Sequence, residues 1–377
     1  MENPWRYDFR DILWAPARAL SAKKIFVMTL FLCLALVCYD LFTYVALAVA
    51  TDQAGYVWSA YGMFPYLDFG FEHIGGWVVY GIGVILALLC VMMGFFGVAA
   101  FQIEEVRGNR FMSIWQAVKF AWRRLPQLFL SELSIALFIA FIVALFALCG
   151  LLCRLPVVGE WIYSVFFVIP SFIVAIFTVF IVLVFQVSWL LLPAAAAADR
   201  IGETFTSILE TFSTVIRRPV QWLVYTAYSL VAAKVCSFVY AYFCYRSVQF
   251  IGWAAGLGGG ARMTDRIKSG LAHLPVDSDT VRETFNIVPG VDFGVTLGRW
   301  TRGGGGDEAA GYVMAVMLFL IFASILGYFL AIIATGQARA YVVIRYKKDG
   351  YEIASESPLF FEDEPVNAPI GEDESQA

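Results

Sequence analysis

"VQWLVYTAYSLVAAKVCSFVYAYFCY", residues 220–245, carries a single charge, Lys234, in an otherwise apolar, aromatic and small-polar run. As a helix it would measure about 39 Å, more than the roughly 30 Å hydrocarbon core of a bilayer. Working outward with a window of about 20 residues predicts six spans, at roughly 25–50, 76–102, 126–152, 161–193, 219–250 and 310–338. Composition agrees: 60 % of residues are hydrophobic and 15 % charged, against roughly a quarter charged in soluble domains. The fold class read from this is an all-α membrane protein.

Orientation follows from Lys and Arg beside the span ends. The N-terminal segment (Arg6, Arg10, Arg18, Lys23, Lys24), the second connection (Arg107, Arg110, Lys119, Arg123, Arg124), the fourth (Arg200, Arg217, Arg218) and the C-terminal segment (Arg339, Arg345, Lys347, Lys348) hold 17 of the 26 basic residues. The first connection, 51–75, has none. Both termini are therefore expected in the cytoplasm. The polar residues before the first span, with no short apolar core and cleavage site after them, read as no cleavable signal. The seven cysteines show no C-x-x-C pair and read as inert membrane thiols.

Three stretches precede a hairpin: "RDILWAPARALSAKK", "MSIWQAVKFAWRRLPQ" and "TSILETFSTVIRRPVQ". Each is amphipathic at helical spacing and ends in a basic pair, as helices lying in the headgroup plane do. In the third, Ser207, Glu210, Thr214 and Arg217 are expected to face water, and Ile208, Phe212 and Val215 the membrane. Ser113/Ser207, Arg123/Arg217 and Gln127/Gln221 recur at one common offset. The expectation is three units, each an interfacial helix plus a hairpin, repeated in parallel, all within a membrane domain at 1–348. Glycine runs bracket an extracytoplasmic insertion at 256–306, in which "RMTDRIKSGLAHL" reads as an amphipathic helix, "DSDTVRETF" as a short capped one and "NIVPGVDFGVTLGRW" as strand-like. The acidic segment 349–377 reads as a disordered cytoplasmic tail.

Counted from the basic pairs, Asp40 and Lys234 fall at equal depth near the midplane. A lone charge there costs roughly 2.5–3.5 kcal/mol on insertion scales, so the two are expected to pair, either as an assembly pin or as a transport site. Glu132, near the cytoplasmic interface, is expected either to snorkel to the headgroups or to meet Arg123 or Arg124. Trp58, Tyr61, Phe64, Tyr66, Phe69, Phe71 and His73 read as an interfacial aromatic belt, or a binding lip. His73 and His273 are the chain's two histidines, too few for a His-based metal site or triad. With no P-loop, H-E-x-x-H or G-x-S-x-G pattern, the reading contains no catalytic residue, metal, cofactor or enzyme activity. No basic patch interleaved with aromatics points to nucleic acid.

"QAVKFAWRRLPQLFL", "LLLPAAAAADRIGETFTSILETFSTVIRRPVQWL" and "GQARAYVVIRYKKDGYEI" resemble a broad group of bacterial multi-helix inner-membrane proteins. That group includes the membrane domain attached to some glycerophosphodiester phosphodiesterases. The resemblance covers roughly 105–350 and implies a bacterial cytoplasmic membrane but no activity, since it brings no catalytic motif and no phosphodiesterase domain. A poly-alanine stretch also stands where that group carries a carboxylate. Two functional expectations remain. One is a non-catalytic scaffold or accessory subunit, embedded in the lipid bilayer and meeting protein partners through the insertion or forming a homo-oligomer. The other is a transporter or channel for a small solute or lipid through Asp40 and Lys234.

Overall fold

The structure, a computed structural model, describes residues 5–50, 54–61, 65, 71, 73–151, 159, 161, 163–259, 261–274 and 308–360. Most of those residues are helical, with no strand among them. Two short helices, α1 (Phe9–Leu13) and α2 (Ala15–Ala19), lead into α3 (Ala22–Ala50). Then follow α4 (Ala54–Tyr61), α5 (Ile74–Val106), α6 (Ile114–Leu151) and, after a π turn at Tyr163–Phe167, α7 (Val168–Ala198). The chain ends with α8 (Thr204–Arg217), α9 (Pro219–Gly259), α10 (Ala261–Ala272) and α11 (Glu308–Asp349). Six helices, α3, α5, α6, α7 with its π turn, α9 and α11, are long and apolar enough to cross a membrane, which makes this a multi-pass membrane protein.

Four of the six expected spans stop short of their helices at the charged end. Expected to end at 102, 193 and 338 and to begin at 126, they reach Val106, Ala198 and Asp349 and begin at Ile114. The 42 residues of α11 measure about 63 Å at 1.5 Å per residue, twice a hydrocarbon core. The surplus of α5, α6, α7 and α11 packs into a helical layer at one end of the bundle. Its core joins Phe96, Ala99, Ala100, Phe101 and Ile103 of α5 to Leu191, Leu192 and the alanines 194–198 of α7, and to Tyr341–Ile344 of α11. Poly-alanine fits here because α7 is buried on every side over its last eight residues, and a methyl lets neighbours come close all round. Both described chain ends lie in this layer: Tyr7 stacks on Tyr346 at 3.9 Å and Phe360 meets Phe120 edge-on at 5.2 Å. We call this the terminal end.

Three expectations change here. Only the third interfacial stretch forms one separate helix, α8; the first is two short helices, and the second runs straight into α6 through Pro126. In α8 the polar side faces inward. Ser207, Thr211 and Thr214 are buried while Phe205, Leu209 and Ile216 are exposed. Small hydroxyls permit this, since Ser207 Oγ accepts from Gln127 Nε2 at 2.8 Å and Thr211 Oγ1 donates back to the Ser207 carbonyl at 2.8 Å. Finally, the acidic tail does not begin disordered at 349: residues 350–360 are held against the terminal end, as described below, and 361–377 lies outside the described residues. Of the insertion, α9 runs on as helix through Gly256 to Gly259, and α10 supplies the expected amphipathic helix. It docks on α11, with His273 4.6 Å from Tyr312. The stretches at 277–285 and 286–300 lie outside the described residues.

Candidate functional site

The terminal end buries an unusual concentration of charge. Lys24, on the first turn of α3, is 1 % exposed. Its ammonium meets Glu105 at 2.9 Å and donates to Gln102 Oε1 at 3.0 Å and to the Arg18 carbonyl at 3.2 Å. Glu105 and Gln102 both come from the last turns of α5, so this cluster fastens the first hairpin at its open end. Arg339 of α11 is also buried; its Nε donates to the Asp11 carbonyl, and its guanidinium lies over the Trp5 ring, 4.5 Å from the centroid. Nearby, Gln337 links α11 to α9, accepting from Trp222 Nε1 at 3.1 Å and donating to Thr226 Oγ1 at 2.9 Å. An ion pair taken out of water holds best when its remaining donors and acceptors are satisfied; the Lys24 ammonium meets that condition, while Glu105 Oε2 has no hydrogen-bond partner.

A second cluster grips the tail. Arg107, just past α5, bonds Glu104 at 3.2 Å and the Ala198 carbonyl at the end of α7 at 2.9 Å. Its Nε donates to Glu356 at 2.9 Å, and Arg200 adds a further bond to the same carboxylate at 3.3 Å. The Glu104 carboxylate accepts the backbone N–H groups of Leu359 (3.1 Å) and Phe360 (3.4 Å), while Asn109 donates to the Phe360 carbonyl. Burial alone would raise the Glu356 pKa. The Tyr351 hydroxyl and the Arg107 and Arg200 guanidiniums outweigh it and hold the group below the ordinary carboxylate value. Tyr351 is pushed up, first because it donates its proton to Glu356 and then by burial.

The residues expected to pair do not come together. Gly327 of α11 abuts Thr29 of α3, and Gly336 abuts Ser229 of α9, which fixes the register of all three helices. Asp40 lies eleven residues beyond Thr29 and Lys234 five beyond Ser229. Gly336 itself is nine residues nearer the terminal end than Gly327. Asp40 and Lys234 are therefore about 22 Å apart along the bundle, and both oxygens of the buried Asp40 carboxylate lack a hydrogen-bond partner. Lys234 is at the depth of Lys24. Asp40 is at the opposite, aromatic end, where Tyr39 meets Tyr80 at 6.2 Å and Tyr44 meets Trp58 at 5.3 Å. The equal-depth expectation fails because the basic pairs are not level: Arg218 reaches the Lys347 carbonyl at 3.2 Å, far down α11, whereas Lys24 sits inside the bundle.

Glu132 is buried as well, but its partner is Ser188 Oγ of α7 at 2.9 Å, and its second oxygen has none. Arg124 turns instead to Gln127 Oε1 at 3.0 Å and the Arg200 carbonyl at 2.9 Å, and Arg123 is exposed. Of the expected aromatic belt, Phe71 packs on Trp77 at 5.1 Å; the side chains of Tyr61, Phe64, Tyr66 and Phe69 lie outside the described residues. Sequence reasoning missed Lys24, Gln102, Glu104, Glu105, Arg107 and Arg339 as a site. Three of these had been counted as solvent-facing orientation charges. The signal was the pair Glu104–Glu105 at the apolar end of α5, an acidic step in a row of bases. Compared with family models, with characterised proteins and with solved structures, the chain matches none of them.

Proposed function

We propose that this protein is a non-catalytic scaffold or accessory subunit of a membrane assembly. We place it in a bacterial cytoplasmic membrane, with the terminal end inside the cell. One observation carries the reading: of the eight buried charged side chains among the described residues, five (Asp11, Lys24, Glu104, Arg107 and Arg339) cluster at the terminal end, and Asp40, Glu132 and Lys234 lie singly within the long helices. Residues 25–39, 81–101, 133–151, 163–198, 235–245 and 309–338 contain no Asp, Glu, Lys or Arg. At the terminal end Lys24, Glu104, Arg107 and Arg339 are tied to fixed partners on other elements. That distribution suits a rigid frame that presents its surfaces; a polar solute would need a hydrophilic track through the middle. Protein partners or a second copy are the expected company.

Transport is the second reading, and Asp40 favours it, as a buried carboxyl with two unpartnered oxygens. The experiment that separates the two is native mass measurement of the particle extracted in mild detergent. Stoichiometric companion proteins are the expected result. A lone chain, together with solute or lipid flux in proteoliposomes that Asp40→Asn abolishes, would replace the scaffold with a transporter.

A further inference from the structure

Segment 356–360 is held the way a protein holds a linear peptide. Its one acidic side chain is read by two guanidiniums, its Leu359 and Phe360 N–H groups by a buried carboxylate, and its final ring by Phe120. The receiving side chains come from α5, α6 and the two links after α5 and α7, and the key ones are positioned without the tail. Glu104 and Arg107 hold each other at 3.2 Å, and Arg107 is further fixed on the Ala198 carbonyl. Such a prearranged site spends little ordering entropy when a ligand arrives. Specificity resides in a carboxylate and an aromatic ring four residues apart, because the backbone contacts are indifferent to side chain.

We propose that Glu104, Arg107, Asn109, Phe120 and Arg200 form a receptor for a short acidic–aromatic peptide, occupied in cis by residues 356–360 and open to exchange with a partner segment of the same chemistry. The proposal deepens the scaffold reading, and rests on it, by naming how a partner is engaged. The tethered tail competes at an effective concentration on the order of millimolar, so the free chain is self-closed, and a partner must displace the tail to dock.

The test uses the full-length chain in detergent and a fluorescent peptide YEIASESPLF, which copies residues 351–360. In Glu356→Lys the cis segment loses its anchor. This variant is expected to bind the peptide at least about tenfold more tightly than the unaltered protein. Adding Arg200→Ala, at a half-exposed site, is expected to remove that gain, and a peptide carrying Lys in place of the glutamate that copies Glu356 is expected to bind neither. If Glu356→Lys melts lower than the parent, Glu356→Gln with Phe360→Ala makes the same comparison. Equal binding by folded variant and parent, or a gain indifferent to Arg200, overturns the receptor. Peptide binding by a particle that never carries companions would leave the receptor standing and sink the scaffold.

Discussion

The two hairpins α3–α5 and α6–α7 are similar in length and apolarity, yet they are built in opposite ways. In the most apolar windows of α5 and α3, 56 % and 33 % of residues are buried; in those of α6 and α7, 11 % are. The first hairpin closes on a seam of small residues: Gly76, Gly83, Cys90 and Gly97 recur every seven residues along α5. Gly83 abuts the Cβ of Phe42, and Gly97 abuts Val27. In the second, α6 has its one glycine at its far end and α7 has none. The two helices meet through Ile135, Ile142 and Ile181, and present Phe138, Phe141, Phe172 and Phe177 outward. Lipid tails are as apolar as isoleucine, so within the membrane close backbone approach decides association rather than hydrophobicity. Only where α7 turns to poly-alanine, beyond the apolar middle, is it enclosed.

The comparison can be broken first at Arg107, which joins the end of α5 to the end of α7. Arg107→Leu strands the buried Glu104 and is expected to cost about 3–5 kcal/mol, read as the loss of folded protein in thermal melts in detergent. Gly83→Leu strikes the first hairpin alone. It is expected to cost about 1–3 kcal/mol by overpacking against Phe42, and a stability equal to the parent would refute the seam. Ser188→Ala tests the second hairpin, where it removes one hydrogen bond to Glu132. The expected loss is about 0.6 kcal/mol, measurable by steric trapping. Phe138→Leu, on the lipid side of α6, is expected to stay within about 0.5 kcal/mol of the parent.

Acid is expected to act on the strap formed by residues 350–360 through Glu356. A carboxylate with a depressed folded pKa contributes its stabilisation above the unfolded value and loses it as pH falls through the lower, folded one. Glu356 is such a group. A fluorophore on a cysteine at position 355 is therefore expected to keep its anisotropy down to about pH 5, and to gain mobility only below about pH 4, under the free glutamate value. Release near neutrality would show that the two arginines do not hold the strap.

The spans were legible in the sequence because about 20 consecutive apolar residues leave few alternatives. Their extensions were not. A hydropathy window stops at the first charges, and Lys24, Arg107 and Arg339 look like ordinary flanking bases until the helices that bury them are placed side by side. The same blindness misplaced Asp40 and Lys234. Counting outward from a basic pair assumes that each pair sits at one depth, whereas Arg218 and Lys24 lie at very different levels. The α8 face was misread because Ser and Thr were scored as water-seeking, though each can satisfy itself on a neighbouring carbonyl.

The meeting of both described ends, residues 5–19 and 339–360, in one layer has a consequence for biosynthesis. Arg339 closes on the Asp11 carbonyl across 328 positions, and Tyr341–Ile344 belong to α11, the last long helix among the described residues. At roughly 5–20 residues per second, α1 and the alanine end of α7 wait for α11, the former for roughly 16–70 seconds. During that wait the first hairpin can already be locked by Lys24 and Glu105, which are synthesised early. Ribosomal stalling before α11 would thus leave a closed hairpin above an unfinished terminal layer, a form that quality-control proteases can reach.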